Sequence, residues 1–383
     1  MNPHRLAYGF AYDMPFAQII AIVLFASLFF SKEKMSLPEH WIIPIWVFFI
    51  IWMGITTFFA YFPDAAWIQY KKIIKIQVIT FLMLLLINNM EKMRYLIWTI
   101  VISIGFYSVK GGIYTILTGG GGRVWGPPGS FIEDNNALAV AILMVIPLMV
   151  FLYQTSEKNW IRKGLLVSIV ISLFTVLGSQ SRGALIAIIT VGLFYWKESK
   201  GKLVSGILII FFSGVLLAFM PESWYKRMET IETYQEDGSA MGRLNAWEYA
   251  VHVANDNFTG VGLDAWSRQT FYIYAPNPND VHAAHSIYFS VLADHGWFGL
   301  LLFLLIMWGA WNSLSVVIKA GRGSVAQKDI ILLAKMVKVS FIAYLVGGAF
   351  LSLSYFDLPW NLVAVAILIF KYSRVLYESQ KNT

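Results

Sequence analysis

The sequence predicts an all-α, polytopic membrane protein with about eleven transmembrane helices and one large, partly helical extramembrane loop. Three observations carry this reading. Of 383 residues, 58% are hydrophobic and only 13% charged, whereas a soluble domain is about a quarter charged. Apolar runs approaching the roughly 20 residues that cross a ~30 Å hydrocarbon core recur along the whole chain. The Lys and Arg residues fall in short clusters between those runs, where they set topology. That clustering accounts for the net charge of +7 without a nucleic-acid partner. Cysteine is absent, which excludes disulfides and thiolate metal sites.

In chain order the predicted spans are 17–30, 41–60, 73–90, 95–117, 136–153, 163–180, 183–196, 203–220, 297–318, 330–351 and 361–378. Basic residues concentrate in alternate gaps, among them Lys32, Lys34, Lys92, Arg94, Lys158, Arg162, Lys163, Lys197, Lys200, Lys319, Arg322 and Lys328. Those gaps are assigned to the cytoplasm, together with the C-terminal tail. Lys71, Lys72 and Lys75 are the exception. Residues 1–220 form a transmembrane region with an outer Gly-rich loop at 110–135, residues 221–296 a loop domain, and residues 297–383 the C-terminal transmembrane helices. The first residues lack the basic-then-apolar order of a cleavable signal. An outward N-terminus without a signal is the pattern expected of a chain that begins further upstream. Within the loop, 240–256 reads as a helix with an NDN stop, 275–280 (APNPND) as a turn-rich segment, and 284–295 as a helix re-entering the membrane.

Basic side chains mark the candidate chemistry. Arg182, in GSQSRGA, sits at the outer junction of two short spans; its planar fork suits the oxygens of a lipid diphosphate, while the bland alternative is snorkelling to headgroups. Arg243, in MGRLNAW, opens the loop helix, where backbone N–H groups add to anion binding; a solvated surface Arg is the alternative. The loop holds ten acidic and four basic residues, so any phosphate site in it is local. His285 opens the helix leading back into the membrane, and neutral imidazole is the usual general base near neutral pH. The His282–His285 spacing, with Asp280 or Asp294, is a weak metal signal. The Gly-rich segment offers Arg123 and Trp125 for sugar contact, and Glu133 and Asp134 for hydroxyls or a cation. No P-loop spacing occurs in it. Asp264 and Arg268 read first as turn residues and second as sugar contacts. Trp247 reads as packing the loop onto the membrane, and Tyr288 as interfacial.

SQSRGALIAI after a span, GRLNAW opening an outer loop and HSIYFSVLADHGWFGL leading into a span resemble the O-antigen ligase and polymerase superfamily, over about residues 160–320. NPHRLAYGFA, KGGIYTILTGGGGRVWGPPG and SFIEDNN resemble a narrower group, the O-glycosylation ligases found with exosortase A systems. The resemblance implies a GT-C-like membrane glycosyltransferase of the bacterial inner membrane. Its donor would be a glycan on undecaprenyl diphosphate, and its acceptor a periplasmic glycan, lipid or protein. Arg182 and Arg243 would engage the diphosphate and His285 would activate the acceptor hydroxyl. No cofactor and no metal would be needed. An exopolysaccharide repeat-unit polymerase shares this donor site and differs in acceptor. A lipid-linked sugar flippase would instead place charges at the bilayer midplane, whereas the conspicuous polar residues here cluster on one face. A non-catalytic membrane subunit would leave the marked residues individually dispensable.

Overall fold

The structure is a computed structural model that describes residues 10, 14, 16–30, 36–198, 201–218, 220–222, 224–225, 238–321 and 327–381. The NPHRLAYG stretch, Lys32, Lys34, Lys200 and Arg322 lie outside the described residues. Among the described residues there is no strand. The helices are α1 (Phe16–Phe30), α2 (Ile42–Phe58), α3 (Pro63–Leu86), α4 (Met90–Leu117), α5 (Asn135–Thr155), α6 (Asn159–Gly178), α7 (Arg182–Glu198) and α8 (Lys202–Ala218). They are followed by α9 (Gly238–Asp256), α10 (Arg268–Tyr274), α11 (Ile287–Ala320), α12 (Lys328–Gly347) and α13 (Asp357–Lys381). A helix lies at every predicted run. Among the described residues, five stretches are long and apolar enough to cross a membrane, namely 90–117, 135–155, 159–178, 287–320 and 328–350.

The centre is α5. Its sequence is apolar all round, the pattern of a helix enclosed on every side, and nearly every residue from Ala137 to Leu152 is buried. The helices α4, α6, α7 and α12 surround it, while α2, α11 and α13 extend the same core. Close helix approach needs small residues. A Cβ on Gly112 would fall 2.1 Å from the carbonyl oxygen of Ile171, so only glycine lets α4 meet α6 there.

Several boundaries differ from expectation. α3 begins at Pro63, ten residues before the predicted span, because Pro at the first helical turn and Asp64 suit a helix start. Lys71, Lys72 and Lys75 therefore lie on the exposed side of α3 rather than in a gap. α4 stays helical to Leu117, so the Gly-rich loop starts at 118, not 110. The expected helix at 284–295 and the expected span at 297–318, by contrast, are the two halves of α11, which meet where expected, at a non-helical Gly296 with φ 68° and ψ −177°. That backbone conformation is accessible essentially only to glycine.

The loop between α8 and α11 packs as a small unit. In α9 the spacing of Ala246, Tyr249, Ala250, Val253 and Ala254 makes one apolar stripe, all buried against Val261, Ala265, Phe271, Leu292 and Ala293. Tyr249 stacks on Phe271 with ring centres 4.3 Å apart. The unit is bonded to the helical body through its backbone: Tyr61 N–H donates to Val261 C=O, and Val261 and Gly262 N–H donate to Ala293 and Asp294 C=O.

Candidate active site

The α6–α7 junction is a tight turn held from three sides. Ser181 Oγ accepts from Ala184 N–H, capping α7 just before Arg182. Asn135 Nδ2, in the first turn of α5, donates to Ser179 C=O at 2.5 Å. Val124 N–H donates to Gly178 C=O, which lays the Gly-rich loop over the turn. Gln180 adopts a left-handed backbone, φ 56°. Arg182 is half-buried as the first residue of α7.

The second component comes from the loop unit. Asn245 is buried on α9. Its Nδ2 donates to the carbonyls of Asn277 and Asp280, and its Oδ1 accepts from Asn277 N–H, each at 2.9 Å. The APNPND turn is thereby fixed against α9, two residues from Arg243. Asp280 Oδ1 then meets His282 Nε2 at 2.7 Å. Gly242 lies so close to His282 that a Cβ there would come within 2.4 Å of the ring. Trp247 Nε1 donates to Ala284 C=O, and its ring stacks on Phe289, 4.9 Å between centres. Trp247 thus holds the segment leading to His285 against α9.

His285 is the residue this framework delivers. It stands immediately before Ser286, the N-cap of α11, with φ 43°. The left-handed region is uncommon for a residue with a Cβ. Burial and the nearby Arg243 guanidinium push its pKa below the ordinary imidazole value, His282 adds to this, and Asp134 opposes it. His285, Arg243, His282 and Asp134 are therefore one electrostatic group. On the α7 side, Gly183, next to Arg182, lies against Phe350, and Gly348 lies against Ile287 at the start of α11. The N-termini of α7 and α11 each carry partial positive charge. The site combines cations, helix starts and a neutral imidazole, a set suited to an anionic leaving group and a hydroxyl nucleophile.

The other predicted residues fare differently. Asp134 caps α5, accepting from Asn136 and Ala137 N–H, so it serves the helix and the His285 group together. Glu133 Oε2 accepts from Gly129 N–H at 2.8 Å and shapes the Gly-rich loop. Arg123 and Trp125 are exposed on either side of Val124, next to the α6–α7 turn. Arg268 is exposed at the start of α10, and among the described residues nothing joins it to the His285 group. Asp264 is a left-handed turn residue, φ 62°. The Tyr288 hydroxyl donates to Leu345 C=O and so links α11 to α12.

Sequence reasoning missed a buried polar cluster below the site. Tyr355 Oη donates to Asp294 Oδ2 at 2.7 Å and meets His295 Nε2 at 2.9 Å. His295 Nδ1 meets Thr56 Oγ1 at 2.7 Å, and Trp52 Nε1 donates to the His295 carbonyl. Asp294 faces this cluster and not His282 or His285, which removes it as their third metal ligand. An Asp-His pair inside an apolar run was the available signal; Tyr355 and Thr56, distant in sequence, carried none.

Residues 167–304 match the sequence model of the family described as O-Antigen ligase. Residues 1–157 match a family of unknown function. No curated protein matches the chain.

Proposed function

We propose that this chain, whose residues 167–304 match the O-antigen ligase family, is a ligase- or polymerase-type membrane enzyme that transfers a glycan from undecaprenyl diphosphate to a periplasmic acceptor, with protein O-glycosylation as the leading case. The observation that carries this is His285, half-buried, kept neutral beside Arg243, and held in a left-handed conformation at the start of α11. In the reaction, the acceptor oxygen bonds to the anomeric carbon as the bond from that carbon to the diphosphate oxygen breaks. His285 takes the hydroxyl proton. The diphosphate departs with the electron pair, and Arg182 and Arg243 offset its charge, with the N-termini of α7 and α11 aiding them. Attack opposite the diphosphate inverts the anomeric centre. Arg123 and Trp125 flank the α6–α7 turn, where they can meet the glycan. The site would face the periplasm and the C-terminus the cytoplasm.

The test is glycan transfer in proteoliposomes from purified lipid-diphosphate donor, with EDTA present. Wild type is expected to transfer, and Arg182→Ala, Arg243→Ala and His285→Ala to fail while remaining folded. Wild-type rates in all three variants would overturn the site, and movement of donor across the bilayer without transfer would replace the enzyme with a flippase. A repeat-unit polymerase would instead accept a second lipid-linked glycan in the same assay.

A further inference from the structure

A groove of about 880 Å³ runs along α4 and α6 on the outside of the helical body, away from the His285 group. Its floor includes Gly105 and Met149, its far end Trp98 and Trp160, and its near end Lys110 and Ile113. That volume is within the range of small-molecule sites, roughly 300–1,000 Å³. Its walls are almost wholly apolar. The hydroxyl of Ser168 is already turned back to Gly164 C=O, so it offers little to a polar ligand. Both helices are among those long and apolar enough to span a bilayer, so the groove opens toward lipid.

Lys110 gives the groove its specificity. It is exposed, and no carboxylate of the described residues pairs with it. It lies seven residues before the end of α4 at Leu117, about 10 Å below that end at 1.5 Å per residue. A cation at that depth is costly unless an anion meets it. From Lys110 to Trp98 is twelve residues, about 18 Å of helix, close to the ~15 Å depth of one leaflet.

We infer that this α4–α6 groove is a binding site for an anionic phospholipid, with the lipid phosphate on Lys110 and an acyl chain lying toward Trp98 and Trp160. The lipid belongs to the leaflet on the side of the Gly-rich loop. Length selects a phospholipid over the donor's much longer isoprenoid chain, and charge selects an anionic headgroup over a zwitterionic one. A lipid seated there would brace α4 and α6, which carry the Gly-rich loop and the α6–α7 turn at their ends. The site does not depend on the transfer reaction, so its test reads lipid retention alone.

The experiment is native mass spectrometry of the purified full chain released from micelles containing equal phosphatidylglycerol and phosphatidylcholine. Wild type is expected to retain phosphatidylglycerol over phosphatidylcholine by about fivefold, the scale of one Lys at a lipid headgroup. Lys110→Gln should keep binding but lose that preference. A Cβ on Gly164 would meet nothing within 4 Å, so Gly164→Leu leaves the helix contacts intact and fills the groove, and should retain neither lipid. Equal retention of both lipids by wild type, or an undiminished preference in Lys110→Gln, would overturn the proposal. So would displacement of phosphatidylglycerol by an added isoprenoid diphosphate, which would assign the groove to the donor's tail.

Discussion

At His285, three named charges set the behaviour of one imidazole. Its basic form is the useful one, and burial, Arg243 and His282 lower its pKa while Asp134 raises it. A lowered pKa keeps the base free at neutral pH, so the rate should be flat near pH 7 and fall only on the acid side of the ordinary imidazole value. Asp134→Asn removes the opposing charge yet keeps an oxygen to cap α5; its acid limb should move to lower pH. Arg243→Gln removes a lowering charge, so its limb should move to higher pH, on top of a lower plateau. Rate–pH profiles of the variants check both signs, and parallel movement would mean the two side chains do not act through His285. Backbone strain also points to His285. Among the described residues the non-glycine positions with positive φ are Gln180, Asp264 and His285, and such outliers gather at functional sites. Asn tolerates the left-handed region best. His285→Asn should therefore keep the melting temperature while losing about 10²–10⁴ in kcat, the usual worth of a general base.

Elements explain how such residues are brought together, and the break in α11 shows it most directly. Gly296 turns the chain between the segment below His285 and the long membrane helix. A Cβ there would fall 2.2 Å from the Phe258 carbonyl oxygen, besides meeting a φ of 68°. Gly296→Ala should cost at least the ~1–3 kcal/mol of a strained backbone, read as a lower unfolding temperature in detergent, with Gly299→Ala as an unsuited control because it too is crowded; Gly164→Ala, in open space, is the neutral comparison. An unchanged Gly296→Ala would mean the break can relax. These details mark the limit of what the chain discloses by itself. Apolar runs locate the helices because burial needs long apolar faces, and the α9 stripe is legible from its spacing alone. The joining of Asp134, Arg243 and His285 is not legible, because it depends on Asn245 and Asn135, whose bonds to Asn277, Asp280 and Ser179 span 32 to 44 residues. The break at Gly296 is legible, because a glycine between two helical runs reads as a boundary, and the backbone there is non-helical.

For the molecule as a whole, the question is how the loop unit holds its place over the helical body. Its apolar stripe packs on Leu292 and Ala293 of α11, and direction comes from backbone bonds at Val261 and Gly262 to the carbonyls of Ala293 and Asp294. Those carbonyls sit on the turn of helix that also carries the buried cluster of Asp294, His295, Tyr355 and Thr56. Tyr355 belongs to the connection between α12 and α13, Thr56 to α2, and Ser354 beside Tyr355 donates to Ile287 C=O at the start of α11. One cluster thus ties the membrane helices, the connection beside Arg182 and the seat of the loop unit. Tyr355→Phe deletes a hydroxyl that serves both Asp294 and His295, each essentially buried. A buried polar group stripped of its partner costs about 1–3 kcal/mol, so the unfolding temperature should fall. If the cluster fixes the loop unit, amide exchange at Val261 and Gly262 should quicken in the folded variant, and kcat should drop although no side chain at His285 has changed. A variant that melts earlier but exchanges at the wild-type rate at those amides would show that the cluster supports the helices alone and that the loop unit is held by its own contacts.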